Sequence, residues 1–193
     1  MAVDIMAFLN GAADAQTKVI ALLSGGLDST LAVKLMKERS IDVLALNFVS
    51  PFCLCDRRKG CASVAKYAGR RLGVRVRRVS LSADYVEVLR NPKHGYGGNM
   101  NPCLDCRILM FKRAKDWMEK ESASFIITGE VLGQRLMSQH IRAWAVIERE
   151  AGVEGLVVRP LSGGLLPPTL PERRGLIKRE WLLRIRGRSR KPQ

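Results

Sequence analysis

The stretch Lys18-Val-Ile-Ala-Leu-Leu-Ser-Gly-Gly-Leu-Asp-Ser-Thr30 constrains the fold of this chain more than any other. Val19 to Leu23 is short, apolar and partly β-branched, the composition of a strand buried on both faces. From Thr30 to Lys37 the apolar residues recur at helical spacing. The glycine pair between them therefore joins a strand to a helix. Such a joint binds anions, because glycines let the backbone turn tightly and approach a ligand while the unpaired N–H groups and dipole of the new helix point at it. Ser24 and Ser29 add hydroxyl donors, so a polyphosphate suits the site. The pattern lacks the Gly-Lys-Ser/Thr of a Walker A loop and is not Gly-x-Gly-x-x-Gly.

The rest of the chain continues the alternation. Residues 1–16 are Ala-rich and are expected to form a short leading helix. After the first helix, which should run to about Arg39, residues 42–49 form a second buried strand ending at Ser50-Pro51. Helices are expected from about Ala62 to Leu72, Ala83 to Leu89, Leu104 to Glu121 and Ser138 to Ala151. Further strands are expected over 74–80, 124–128 and 155–158, with loops over 91–102 and 129–136. Strand–helix alternation predicts an α/β fold, a doubly wound, five-stranded parallel sheet with helices on both faces. Ligands of such sheets lie beyond the carboxyl ends of the strands. The segments 24–29, 53–61, 128–134 and 159–160 all fall at such ends and should converge on one crevice.

The length of 193 residues and 47% hydrophobic content suit one domain, expected over 1–170, with 171–193 as a basic C-terminal tail in which Trp181 to Ile185 forms a short packed piece. The amino terminus carries Asp4 and no basic region, and no apolar run is long enough to span a bilayer. Five cysteines without a secretion signal then predict a cytoplasmic protein with reduced or metal-bound thiols. The formal net charge of +15 is concentrated: Arg57 to Arg78 holds nine basic residues and no acid, and Pro171 to Gln193 holds nine against two glutamates. Charge localised in this way is a footprint for a polyanion, most commonly nucleic acid.

A second carrier of chemistry is Asn101-Pro-Cys-Leu-Asp-Cys106. A Cys-x-x-Cys at a helix start places a thiol near the positive end of the dipole, which favours the thiolate, and Arg107, Lys112 and Arg113 add positive charge. Four readings follow. Cys103 or Cys106 is a nucleophile that carries sulfur; or the pair ligates a metal or iron–sulfur cluster with Cys53, Cys55 or Cys61; or it cycles with a disulfide; or it is two small buried hydrophobes. Cys53-x-Cys55 with Cys61 matches no standard zinc spacing.

Ser24-Gly-Gly-Leu-Asp-Ser29 resembles the PP-loop of the ATP pyrophosphatases, which use ATP to adenylate a carbonyl oxygen. Asn101-Pro-Cys-Leu-Asp-Cys106, Phe111-Lys112 and Phe125-Ile-Ile-Thr-Gly129 are similar in order to the tRNA 2-thiouridylases. Thr128-Gly-Glu-Val-Leu-Gly-Gln134 with Ser138-Gln139 and Arg159-Pro-Leu161 resembles the ATP-binding domain of the tRNA 4-thiouridine synthases. The likeness covers about Lys18 to Leu161. It implies ATP held by Ser24, Gly25, Gly26, Leu27, Asp28, Ser29, Thr30, Gly129 and Gln134, with Mg2+ near Asp28. It also implies Cys106 as the catalytic thiol, with Cys103 and Asp28 assisting, and Glu130, Gln134 and Gln139 ordering nucleotide or base. The partners implied are tRNA and a sulfur donor, a persulfide carrier or sulfide; an iron–sulfur cluster is the cofactor if the cysteines ligate.

The chain also departs from those families. No cysteine follows Cys106, so a relay with a distal thiol gives way to Cys103 with Cys106 or to a cluster completed from 53–61. An N-terminal RNA-binding domain and a rhodanese domain, which some members carry, have no counterpart in 193 residues. A PP-loop enzyme acting on a small molecule, or an ATP-binding subunit of a sulfur-transfer complex, are the alternative functions.

Overall fold

A computed structural model describes residues 17–50, 61–97, 101–135 and 137–187, with only the backbone of Cys61 and Ala62. The expected leading helix, Cys53, Cys55 and the residues after Gly187 lie outside the described residues. In chain order the elements are β1 (Lys18–Leu22), α1 (Leu27–Lys37), β2 (Asp42–Val49), α2 (Cys61–Leu72), β3 (Arg75–Ser80) and α3 (Ser82–Arg90). They continue with α4 (Cys103–Lys120), β4 (Phe125–Thr128), α5 (Ile141–Ala151), β5 (Val157–Val158) and α6 (Leu170–Arg173). Among the described residues the strands form one five-stranded sheet, all parallel, in the order β3-β2-β1-β4-β5. The order reverses beside β1, and that is where a parallel sheet opens a crevice.

Period-two alternation divides the core between the faces. Ile20, Leu22, Leu44, Leu46 and Ile126 pack on Ile108, Phe111, Trp144 and Ile147 from α4 and α5. Val19, Ala21, Val43, Ala45, Phe125 and Ile127 pack on Val33, Met36, Ala65 and Ala68 from α1 and α2. Each large aliphatic side chain buried in this way contributes about 1.5–3 kcal/mol before entropy is counted. Among the described residues no helix is long and apolar enough to cross a membrane.

Several boundaries differ from expectation for identifiable reasons. Helix α5 begins at Ile141 rather than Ser138 because His140 caps it, its Nδ1 accepting from the Ala143 amide at 3.2 Å. Strand β5 is only two residues long because Gly155 turns with φ +71°. The expected tail from 171 is largely part of the folded unit. Ile177, Leu182 and Ile185 are buried, and the Leu183 and Ile185 amides donate to the Pro160 and Leu161 carbonyls at 2.7 and 2.9 Å. Leu182 and Ile185 belong to the packed piece expected at Trp181 to Ile185, while basic neighbours concealed Ile177.

Candidate active site

The turn after β1 is built on two close approaches. Gly25 has φ +84°, and a Cβ there would lie 2.7 Å from the Ala65 nitrogen of α2. Gly129, at the end of β4, leaves no more room: its Cβ would stand 2.4 Å from the Ser29 nitrogen. Glycine is required at both positions because the contacting atoms are backbone. Within the turn the Ser24 hydroxyl accepts from the Gly26 amide at 3.3 Å and lies 3.1 Å from the Ser29 hydroxyl, which donates to the Gly26 carbonyl at 3.0 Å. Gly26 is the N-cap of α1 and receives no side-chain cap, so Asp28 sits in the first turn. Its Oδ2 accepts from the Gln134 amide at 3.0 Å.

This turn forms one wall of a cleft of about 800 Å³ across the carboxyl ends of β1, β2 and β4. Ser24, Gly26, Leu27, Asp28, Ser29, Gly129 and Gln134 line it, while Gly25 and Thr30 lie outside the lining. Cys103 and Cys106 line the same cleft, with Tyr85, Arg107 and Met110. Both chemistry-bearing segments therefore open on one space. Arg159, expected at the crevice, is instead buried behind it.

Two electrostatic arrangements support the walls. Glu130 is 2% exposed; its Oε1 accepts from Arg107 at 2.5 Å and its Oε2 from Arg159 at 3.1 Å. Arg159 also donates to Glu148 at 2.6 Å and lies over the Trp144 ring, 4.0 Å from its centroid. Burial alone would raise the Glu130 carboxyl, but the two guanidiniums outweigh it and hold the group below the ordinary range. Both carboxylate oxygens are thus engaged by arginines, so Glu130, which itself lines the cleft, braces the wall.

The second arrangement had no signal in the sequence beyond a lone His in a Gly- and Asn-rich loop. His94 bonds Asp105 through both its backbone amide and Nδ1, each at 3.0 Å, and its Nε2 lies 3.0 Å from Glu150 of α5. Asp105, the residue between the two cysteines, is buried and clamps the 91–97 loop to the first turn of α4.

Cys106 departs from the expected activation. Burial pushes Cys106 above its ordinary value, although Arg107 and a hydrogen bond from Tyr85 favour its thiolate. Burial likewise pushes Tyr85 up to about 12, reinforced by Cys106. Of the basic residues counted on to lower the Cys106 thiol, Arg107 divides its charge with Glu130, and Arg113 pairs with Asp84 at 2.5 Å and Asp116 at 3.4 Å. The dipole of α4 is too weak to overcome desolvation at this depth. Thiolates at 103 and 106 suit a soft metal or cluster. Among the described residues, however, no group of three or more His, Cys, Asp or Glu side chains is arranged to hold a metal ion, and the thiols of residues 53, 55 and 61 lie outside them.

A parallel sheet with a Ser-Gly-Gly-Leu-Asp-Ser turn after its first strand and a cleft across its switch point defines a PP-loop α/β domain of the ATP pyrophosphatase type. Residues 14–164 match the family described as thiamine biosynthesis protein (ThiI), and the chain belongs to that family. It is 32% identical over 153 residues to a probable tRNA sulfurtransferase of Methanothermobacter thermautotrophicus, covering 78% of this chain and 38% of that protein. A probable tRNA sulfurtransferase of Thermococcus kodakarensis is 28% identical over 149 residues, covering 77% and 38%. Among solved structures, a 4-thiouridine synthetase in complex with RNA and bound ATP superposes with a TM-score of 0.59 at 27% identity, over 76% of this chain and 37% of that one. The chain spans little more than a third of the length of these relatives.

Proposed function

We propose that this domain adenylates a uridine carbonyl of tRNA with ATP and then replaces the activated oxygen by sulfur, releasing pyrophosphate and AMP. The observation that carries the reading is that the glycine turn and the Cys103–Cys106 pair line one cleft. The family and the tRNA sulfurtransferase relatives support the same reaction.

The phosphates of ATP rest on the amides and hydroxyls of 24–29 at the positive end of α1. Asp28 offers a hard oxygen donor on the cleft wall, which fits magnesium, with Gln134 orienting the carboxylate. Magnesium, when bound there, neutralises phosphate charge. The uridine oxygen attacks the α-phosphorus and the bond to pyrophosphate breaks. A persulfide on Cys106, loaded by an external sulfur donor, attacks the activated carbon through its terminal sulfur and AMP departs. Cys103, one helical turn away on α4, then displaces the thiouridine sulfur from Cys106, leaving a disulfide that a dithiol reductant reopens. Such a cycle belongs in the reducing cytoplasm.

The test measures AMP formation from α-labelled ATP with and without unmodified tRNA. The expected result is AMP release that requires tRNA. Cys106→Ser should retain the adenylated RNA while forming no thiouridine. AMP formation indifferent to tRNA but stimulated by a metabolite would assign the domain to a small-molecule reaction instead.

A further inference from the structure

Helix α2 and edge strand β3 together form an exposed basic ridge. Lys66, Arg70 and Arg71 project from α2, and Arg78 from the face of β3 that α2 covers, while Arg75 and Arg77 leave the opposite face of this edge strand; all six are exposed. Among the described residues none of the six enters an ion pair within 4.0 Å. An acid that Arg75 and Arg77 influence is Glu121, already bound to Lys18 at 2.5 Å. The two elements act as one surface because Gly69 lets α2 settle directly on β3, a Cβ there falling 2.2 Å from the Val76 side chain.

An aromatic stands on the same ridge. Tyr67 is 61% exposed, with the Arg71 guanidinium 5.9 Å from its ring centroid and donating to its hydroxyl at 3.4 Å. A ring held this way, open to solvent and beside unneutralised arginines, suits stacking of an unpaired base next to a bound phosphodiester. The ridge also leads to the site: the backbone of Val64 and Ala65, one turn before Tyr67, is what Gly25 packs against, and Leu27 on the cleft lining is 68% exposed beside it. Charge on an edge strand also blocks unwanted strand pairing, but that purpose calls for neither α2's cations nor the tyrosine.

We propose that the α2–β3 ridge docks the backbone of an unpaired tRNA segment, with Tyr67 stacking a base that flanks the nucleotide delivered to the cleft. This rests on the reading above that tRNA is the substrate. The test is fluorescence anisotropy of the full chain with an unmodified tRNA transcript over a series of salt concentrations. Arg78→Gln should lower the salt slope by roughly 0.7–0.9 and, separately, Lys66→Gln/Arg70→Gln by roughly 1.4–1.8, from one and two lost phosphate contacts. Tyr67→Ala should weaken binding about tenfold while Tyr67→Phe keeps the parent affinity. ATP affinity stays unchanged in all four, which also verifies folding. Variants that bind tRNA with the parent's affinity and slope overturn the ridge and leave the proposed reaction standing. A parent that binds ATP but not tRNA overturns both.

Discussion

Replacing Glu130 by Gln removes one charge at nearly constant volume, so the change reports electrostatics rather than packing. The carboxylate is 2% exposed and accepts from Arg107 at 2.5 Å and Arg159 at 3.1 Å. Deleting one member of a buried ion pair costs about 3–5 kcal/mol, because the partner is left as an uncompensated buried charge. Here Arg159 retains Glu148 at 2.6 Å, and Arg107 can turn toward the cleft. The lower end, about 3 kcal/mol, therefore applies. With an m-value of about 2 kcal/mol/M, the urea midpoint should fall by about 1.5 M at neutral pH with the slope unchanged. The deficit should shrink on acidification. A carboxyl held below its ordinary 4.5 contributes stability that is present above that value and lost as the pH falls through the folded one. Urea melts at neutral and at acid pH measure both effects. A midpoint shift below about 0.3 M at neutral pH would refute the argument that Glu130 balances the buried Arg159 and the half-buried Arg107.

Three further outcomes follow from the site. Gly25→Ala places a Cβ 2.7 Å from the backbone of α2 at φ +84°, adding roughly 1–2 kcal/mol of backbone strain and 1–3 of overpacking; calorimetric titration should show at least a tenfold loss of ATP affinity, and an unchanged affinity contradicts it. Because burial raises Cys106 above its ordinary 9.0, site-resolved alkylation should find it slow at neutral pH and quicker only on the alkaline side. Tyr85→Phe, removing a hydrogen bond that favours the thiolate, should move that onset higher still; a Cys106 as reactive at neutral pH as a free thiol would disprove this. His94→Ala removes the ring's bonds to Asp105 and Glu150 and leaves only the backbone amide on Asp105, so amide exchange over residues 103–107 should accelerate several-fold; equal protection would show that the ring does not hold the helix start.

The architecture was legible because it is written locally. Residues 19–23 and 125–128 are apolar runs that only a doubly covered strand tolerates, and the turn at Ser24–Ser29 names the end of the sheet where the cleft opens. What escaped depends on contacts distant in sequence. The bond between His94 and Glu150 spans 56 positions, and that between Glu130 and Arg159 spans 29. No periodicity marks such pairs, and a glutamate in a polar loop looks solvated until its arginines are located. The thiol reading failed similarly: the charge of Arg107 and Arg113 was visible in the sequence, their acidic partners and the depth of Cys106 were not. The apolar anchors Leu182 and Ile185 were legible as a short packed piece, whereas Ile177 was masked by surrounding arginines and lysines.

The segment that returns after α6 ties two distant parts of the chain together. The Gly187 amide donates to the Leu132 carbonyl at 2.8 Å, and the Ser162 hydroxyl bridges the Leu132 amide and the Ile185 carbonyl at 2.9 and 2.7 Å. The loop that reaches Asp28 through Gln134 is thus fastened to residues 183–187, and neither can loosen without the other. By reciprocity, a nucleotide that tightens the loop must slow proteolytic cutting in the closing segment, and a nick there must be felt as weaker nucleotide binding.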